Sequence, residues 1–293
     1  MVYQVRALIV AAAVAAVLGQ GLAAQPPSPP ATAAKAARSP RATAGETARS
    51  PQASATQPRA RPQQIVVSAA VSLGDVLQKL APIYQARTGD RLVLNLGPSN
   101  TLAKQITFGA RVDLFISADE AQMDAAGPEL VPGSRVDLLS NQLAIAVPDD
   151  RPRKFESARD LADPAITRIA IGDPAGVPAG VYAKQYLQKI GVWPALQMKL
   201  IPSASVRIAL AAVENGAADA AIVYRTDIPT AAHAREAFLV PVADGPRIVY
   251  PAAIVKTGRS PEGAARLLAF LRGPDATAVF TRAGFLAPAA RGN

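Results

Sequence analysis

The chain has 293 residues, half of them hydrophobic, with a net charge of +9, one histidine and no cysteine. Without cysteine there is no disulfide framework and no lipid anchored through a thiol, and a single histidine cannot build a histidine metal cluster. Residues 1–62 carry seven basic side chains against one acidic, so +6 of the net charge lies there and +3 belongs to the remainder. The basic balance is a property of the N-terminal tail, and no interleaving of basic and aromatic residues points to nucleic acid.

Residues 1–24 read as a secretory signal peptide: Arg6 near the start, an apolar run over 7–18, then Gly21, Leu22, Ala23 and Ala24 before a polar stretch. The apolar run is shorter than the roughly 20 residues that a spanning helix requires. Residues 25–63 are mostly Pro, Ala, Ser, Thr, Gln and scattered Arg, without aromatic residues. Such a composition cannot bury enough apolar surface to offset the entropy of ordering, which predicts a disordered or partly polyproline linker. Export places the folded part in the periplasm, held by its core rather than by cross-links.

From residue 65 short apolar runs alternate with helix-period segments. Strands are expected over 65–71, 91–96, 112–117, 143–147, 168–172, 220–224, 239–242 and 248–255, and helices to about 86 and over 100–108, 119–126, 180–190, 205–215 and 262–271. Pro82 inside the first helix predicts a kink or a split. The alternation argues for an α/β fold with mostly parallel sheets flanked by helices, and no internal repeat suggests a solenoid.

In such sheets ligands bind beyond the carboxyl ends of strands, against helix N-termini. Five junctions have the composition for this. Ser72 opens the helix after the first strand, where free N–H groups and the helix dipole favour an anion, although a serine there is also an ordinary cap. Gly97-Pro98-Ser99-Asn100-Thr101 reads equally as cap and turn or as a donor cluster. The loop from Gly172 to Tyr182 puts two prolines and three glycines at a helix start, offering bare backbone near Ala179 or serving as a rigid connector. It is not a phosphate loop, since no Lys-Ser or Lys-Thr pair follows its last glycine. Ser203 and Ser205 precede Val206 at another helix start, and Tyr224 ends a short apolar run where its hydroxyl needs a partner.

Taken in order, these motifs resemble the periplasmic molybdate-binding proteins of ABC transporters, the ModA family. The resemblance spans residues 64–286 and runs through Ala69-Ala70-Val71-Ser72-Leu73, Ser99-Asn100-Thr101-Leu102, Asp113-Leu114-Phe115-Ile116-Ser117-Ala118-Asp119, Gly172-Asp173-Pro174, Val177-Pro178-Ala179-Gly180, Val206-Arg207, Val223-Tyr224, Thr226-Asp227, Gly273-Pro274 and Gly284-Phe285. It implies a two-lobe periplasmic binding protein fold, type II-like, with a ligand cleft between lobe 1 (64–141 plus 250–293) and lobe 2 (142–249). It also implies high-affinity binding of molybdate or tungstate by Ser72, Ser99, Ala179, Val206 and Tyr224, which touch the oxyanion's oxygens rather than the metal. A monomer that delivers its ligand to the membrane permease, with no cofactor, completes the expectation. Pro98, Asn100 and Arg225 depart from common members, as does the long linker; Pro98 brings no N–H, and Arg225 is expected in solvent.

A first shell of neutral donors suits a fully deprotonated tetrahedral dianion, because every ligand oxygen accepts and no ligand proton needs an acceptor. Hydrogen phosphate is disfavoured by its hydroxyl, and sulfate by its smaller radius. The alternatives are a binding protein for another oxyanion such as sulfate, or, remotely, an exported hydrolase. Against an enzyme, the serines lack a paired base, His233 falls in a surface segment, and Asp113, Asp119, Asp173 and Asp227 have the positions of capping or loop residues.

Overall fold

The structure of the protein, a computed structural model, describes residues 62–288. The signal segment, the linker as far as residue 61, and residues 289–293 of the expected lobe 1 lie outside the described residues. Gln63, assigned by composition to the linker, is tied to the folded part: its N–H donates to Asp90 Oδ1 at 2.9 Å and its carbonyl accepts from Arg91 N at 2.8 Å.

The first half of the fold contains β1 (Gln64–Ala70), a 3-10 turn (Val71–Leu73), α1 (Gly74–Thr88), β2 (Arg91–Gly97), α2 (Ser99–Thr107), β3 (Leu114–Ile116), α3 (Glu120–Ala125) and β4 (Val136–Leu139). The chain then forms β5 (Leu143–Pro148), β6 (Ile169–Gly172), α4 (Pro178–Lys189), α5 (Trp193–Leu196), β7 (Leu200–Ser203), α6 (Val206–Glu214), β8 (Ala220–Tyr224) and β9 (Ala234–Leu239). It ends with β10 (Tyr250–Ile254), α7 (Pro261–Leu271) and α8 (Pro274–Arg282).

The strands make two five-stranded sheets, ordered β2-β1-β3-β10-β4 and β7-β6-β8-β5-β9. In each, the first three strands pair parallel, as βαβ units require, and a fourth enters antiparallel between two neighbours: β10 between β3 and β4, β5 between β8 and β9. These antiparallel strands are the ones that carry the chain from one sheet to the other, so they arrive without a crossover helix. The α/β class with mostly parallel strands is present as expected, in the form of two mixed sheets.

The central strands are buried on both faces, which is why they read as continuous apolar runs. Ile65, Val67 and Ala69 in β1, and Ile169, Ala170 and Ile171 in β6, are wholly inaccessible. α1 is continuous through Pro82, so the expected split does not occur. Pro82 is exposed, on the solvent side of the helix. The strand expected over 239–242 is instead β9 over Ala234–Leu239, because Pro241 cannot donate to the sheet. Four elements were not anticipated: β4, β7, α5 and α8. No helix among the described residues is long and apolar enough to cross a membrane.

Candidate functional site

In both sheets the strand order reverses beside the first parallel strand, β1 or β6, the position at which α/β sheets bind ligands. The carboxyl ends of β1, β2 and β3 and those of β6, β7 and β8 meet around one small cavity. Its wall includes Ser72, Ser99, Ala179, Val206 and Tyr224, so all five residues expected from the sequence are brought together. Each is at most 4% exposed. The cavity volume is about 20 Å³, on a scale where one water needs about 10–15 Å³, so the walls stand close together. Among the described residues no charged side chain lines it.

The donors come from helix starts. At α4, the carbonyl of Val177 accepts from Gly180 N at 2.9 Å and Val181 N at 3.0 Å, passing over Ala179, whose N–H belongs to the unpaired first turn. At α6, Ser205 caps: its side chain accepts from Ile208 N at 3.2 Å and its carbonyl from Ala209 N at 3.1 Å, passing over Val206. At α2, Pro98 stands in the capping position; it contributes its carbonyl to Thr101 N and Leu102 N, each at 3.0 Å, and no N–H. Three helix N-termini thus direct positive dipole ends at one volume.

Two glycines permit the approach of α4. A Cβ on Gly180 would lie 1.9 Å from the carbonyl oxygen of Gly172, at the end of β6. Only a bare backbone lets the helix start sit this close to the strand end, which places the N–H of Ala179 on the cavity wall.

The hydroxyl groups are polarised by what lies behind them. Ser99 Oγ accepts from Ala118 N at 2.9 Å, and Ser72 Oγ lies 3.2 Å from Tyr250 Oη. Tyr224 is fully buried, and its Oη has no hydrogen-bond partner in the protein. Burial foremost, then the neighbouring Tyr250 hydroxyl, holds its phenol well above the usual range, so it remains a donor. Asp227, just beyond, accepts from Tyr224 N at 3.1 Å and lies 2.9 Å from Arg207 Nε. Burial outweighs that cation and pushes the Asp227 carboxyl up to about 7.

Arg207 also reaches across between the sheets, donating to Asp75 Oδ2 on α1 at 2.6 Å. The other singled-out carboxylates have structural work. Asp113 accepts from Val66 N and Ser260 N, both at 2.7 Å; Asp119 caps α3 through Gln122 N at 2.9 Å; Asp173 accepts from Ala175 N at 2.9 Å. His233 lies in an exposed bend and Arg225 is exposed. No group of three or more His, Asp or Glu among the described residues could hold a metal ion.

Sequence reasoning missed Ala118, whose N–H fixes Ser99, and the residues behind Ser72. Ala118 follows β3 as Ser72 follows β1, so the junction argument applied there would have found it. Asn141 and Tyr250 have no local signal of this kind.

Residues 65–286 match the bacterial extracellular solute-binding protein family, and the chain belongs to it. Within that class it groups with proteins named for molybdate. It is 36% identical over 233 residues to the molybdate-binding protein ModA of Escherichia coli, covering 76% of this chain and 88% of that one. The periplasmic molybdate-binding protein of Azotobacter vinelandii superposes with a TM-score of 0.70 at 26% identity, over 77% of this chain and all of that one. The substrate-binding domain of a molybdenum ABC transporter from Clostridium difficile gives 0.63 at 29%, over 78% and 100%. By identity and coverage together, the chain is a member of the ModA family.

Proposed function

We propose that the protein binds molybdate, and equally tungstate, in this cavity and delivers it to the permease of an ABC transporter. Ser72, Ser99 and Tyr224 donate hydroxyl protons, and Ala179 and Val206 donate backbone N–H, to the oxygens of one tetrahedral dianion. The protein works in the periplasm as a monomeric carrier without catalysis, cofactor or nucleic-acid partner. The observation that carries this is Tyr224 Oη: a fully buried donor on the cavity wall without a protein partner. An unpaired buried hydroxyl costs about 1–3 kcal/mol, a cost that an anionic acceptor removes.

Charge-assisted hydrogen bonds contribute about 1.5–3 kcal/mol each, and a helix end up to about 2 kcal/mol when partly buried. Several such donors hold a dianion without a counter-ion. Ligand entry follows from the connections: among the described residues the chain crosses between the sheets at 139–143 and 239–250, and bending there parts the two donor sets that meet at the cavity.

Calorimetric titration with molybdate, tungstate, sulfate and phosphate tests the reading. Molybdate and tungstate are expected to bind tightly and sulfate much more weakly, with Ser72→Ala weakening molybdate while leaving the fold intact. Sulfate or phosphate binding tighter than molybdate would overturn it.

A further inference from the structure

Behind Ser72 runs a buried chain of polar groups whose proton directions can be read from its far end. The N–H of Gln142 donates to Asn141 Oδ1 at 2.9 Å, which fixes the orientation of the Asn141 amide. Its Nδ2 therefore faces two hydroxyls, Thr226 Oγ1 at 2.9 Å and Tyr250 Oη at 3.2 Å, and to both it can only donate. Tyr250 has one proton. Its oxygen receives from Asn141, so that proton goes to the remaining neighbour, Ser72 Oγ, at 3.2 Å. Ser72 then accepts on its inner side, and its own proton, for which the protein offers no acceptor, is left for the cavity that it lines. Tyr250 is wholly inaccessible and Asn141 is 4% exposed, so water does not compete for these positions.

Ser99 is held the same way by a simpler device, the backbone N–H of Ala118. A backbone donor cannot reverse, whereas the Asn141–Tyr250 chain keeps its direction only while Asn141 stands at its end. Both serines keep their own proton for whatever occupies the cavity.

We propose that Asn141 and Tyr250 are positioning residues that determine specificity: they fix the hydroxyl of Ser72 as a donor, so that the site takes oxyanions with no proton and rejects those that carry one. This rests on the assignment of Ser72 to the ligand shell. A serine free to rotate would turn a lone pair to the hydroxyl of hydrogen phosphate and accept it. A serine already accepting from behind could accept a second proton only by leaving its own proton without an acceptor in a buried site, which disfavours the protonated ligand. Discrimination between two dianions of equal charge is then set by a pair of residues that need not touch either. Both stand where the chain crosses between the sheets: Asn141 between β4 and β5, Tyr250 at the first position of β10.

The test is the ratio of molybdate to phosphate affinity, measured by competition titration of the full chain at mildly alkaline pH, where phosphate keeps one proton and molybdate none. Tyr250→Phe removes one oxygen and preserves the ring packing. It is expected to weaken molybdate about tenfold, to weaken phosphate less or strengthen it, and so to shrink the ratio. Asn141→Asp replaces the terminal donor with an acceptor: Tyr250 then donates to Asp, Ser72 donates to Tyr250, and a lone pair faces the cavity. The ratio is expected to fall further, and because both ligands are dianions the repulsion of the added carboxylate cancels in it. Thermal unfolding of each apo variant establishes that it is folded, and Tyr250→Phe decides the matter alone if Asn141→Asp is not. An unchanged ratio in folded Tyr250→Phe, including no competition by phosphate, overturns the proposal. Should Ser72→Ala bind molybdate as the wild type does, the site assignment and the relay fall together; weakened binding in Ser72→Ala with an unchanged ratio in Tyr250→Phe removes the relay alone.

Discussion

The hydroxyl of Tyr224 is a group the apo fold does not use, and this separates its two possible roles by experiment. Replacing it with hydrogen deletes an unsatisfied buried donor, so Tyr224→Phe is expected to leave apo stability unchanged or raise it by about 1 kcal/mol, while molybdate affinity falls about 10- to 100-fold. Denaturant unfolding and calorimetry read the two effects independently; a loss of apo stability would mean the hydroxyl has a partner in the fold. Asp227 gives a second residue-level expectation. The unfolded chain releases this proton near 3.8 and the folded one near 7. Between those values folding retains a proton that the unfolded chain has lost, so the contribution of this group is full below 3.8 and disappears as pH rises to about 7. Relative to Asp227→Asn, the wild type should lose melting temperature across that interval, and a constant gap would show a carboxylate ionised throughout. At this scale the junctions that wall the cavity were legible as strand-to-helix turns and strand ends, and the resemblance picked Ser72, Ser99, Ala179, Val206 and Tyr224 from among their residues. Asn141 and Tyr250 were not, because they are 109 residues apart and only the folded chain joins them.

For the elements, the tightest constraint is the approach of α4 to β6. The clash at Gly180 is with backbone, which cannot rotate away, so Gly180→Ala is expected to cost about 3 kcal/mol or more and to lower the melting temperature even without ligand. An unchanged melting curve would mean that α4 can shift outward freely. The parallel strands and their helices were readable because burial on both faces leaves uninterrupted apolar runs. β7 was not, for it is an edge strand with exposed Ile201 and Pro202. β9 was displaced in the reading because Ala234–Leu239 mixes charged Arg235 and Glu236 into a strand with a register shift opposite Ile145 and Ala146. The four residues of β4 are too few to carry a period.

Across the molecule, a ligand that joins both sheets should stabilise the whole. At a molybdate concentration 1,000 times Kd the gain is about 4 kcal/mol, which for a domain of this size raises the melting temperature by roughly 10 °C. Scanning calorimetry with and without molybdate checks it; no shift would place binding outside the folded state. The α/β class was legible from alternation, whereas the two-lobe arrangement came from resemblance, since nothing in local periodicity announces that a chain will leave one sheet and come back. That return governs the order in which the protein can assemble. β4 has β10 as its sheet neighbour, and β10 ends at residue 254, so a chain that emerges from its N-terminus leaves the first sheet unfinished until nearly nine-tenths of it is out. A chain truncated at Val249 should accordingly show no cooperative unfolding of its first sheet by hydrogen exchange, while the complete chain protects β1 and β3 strongly.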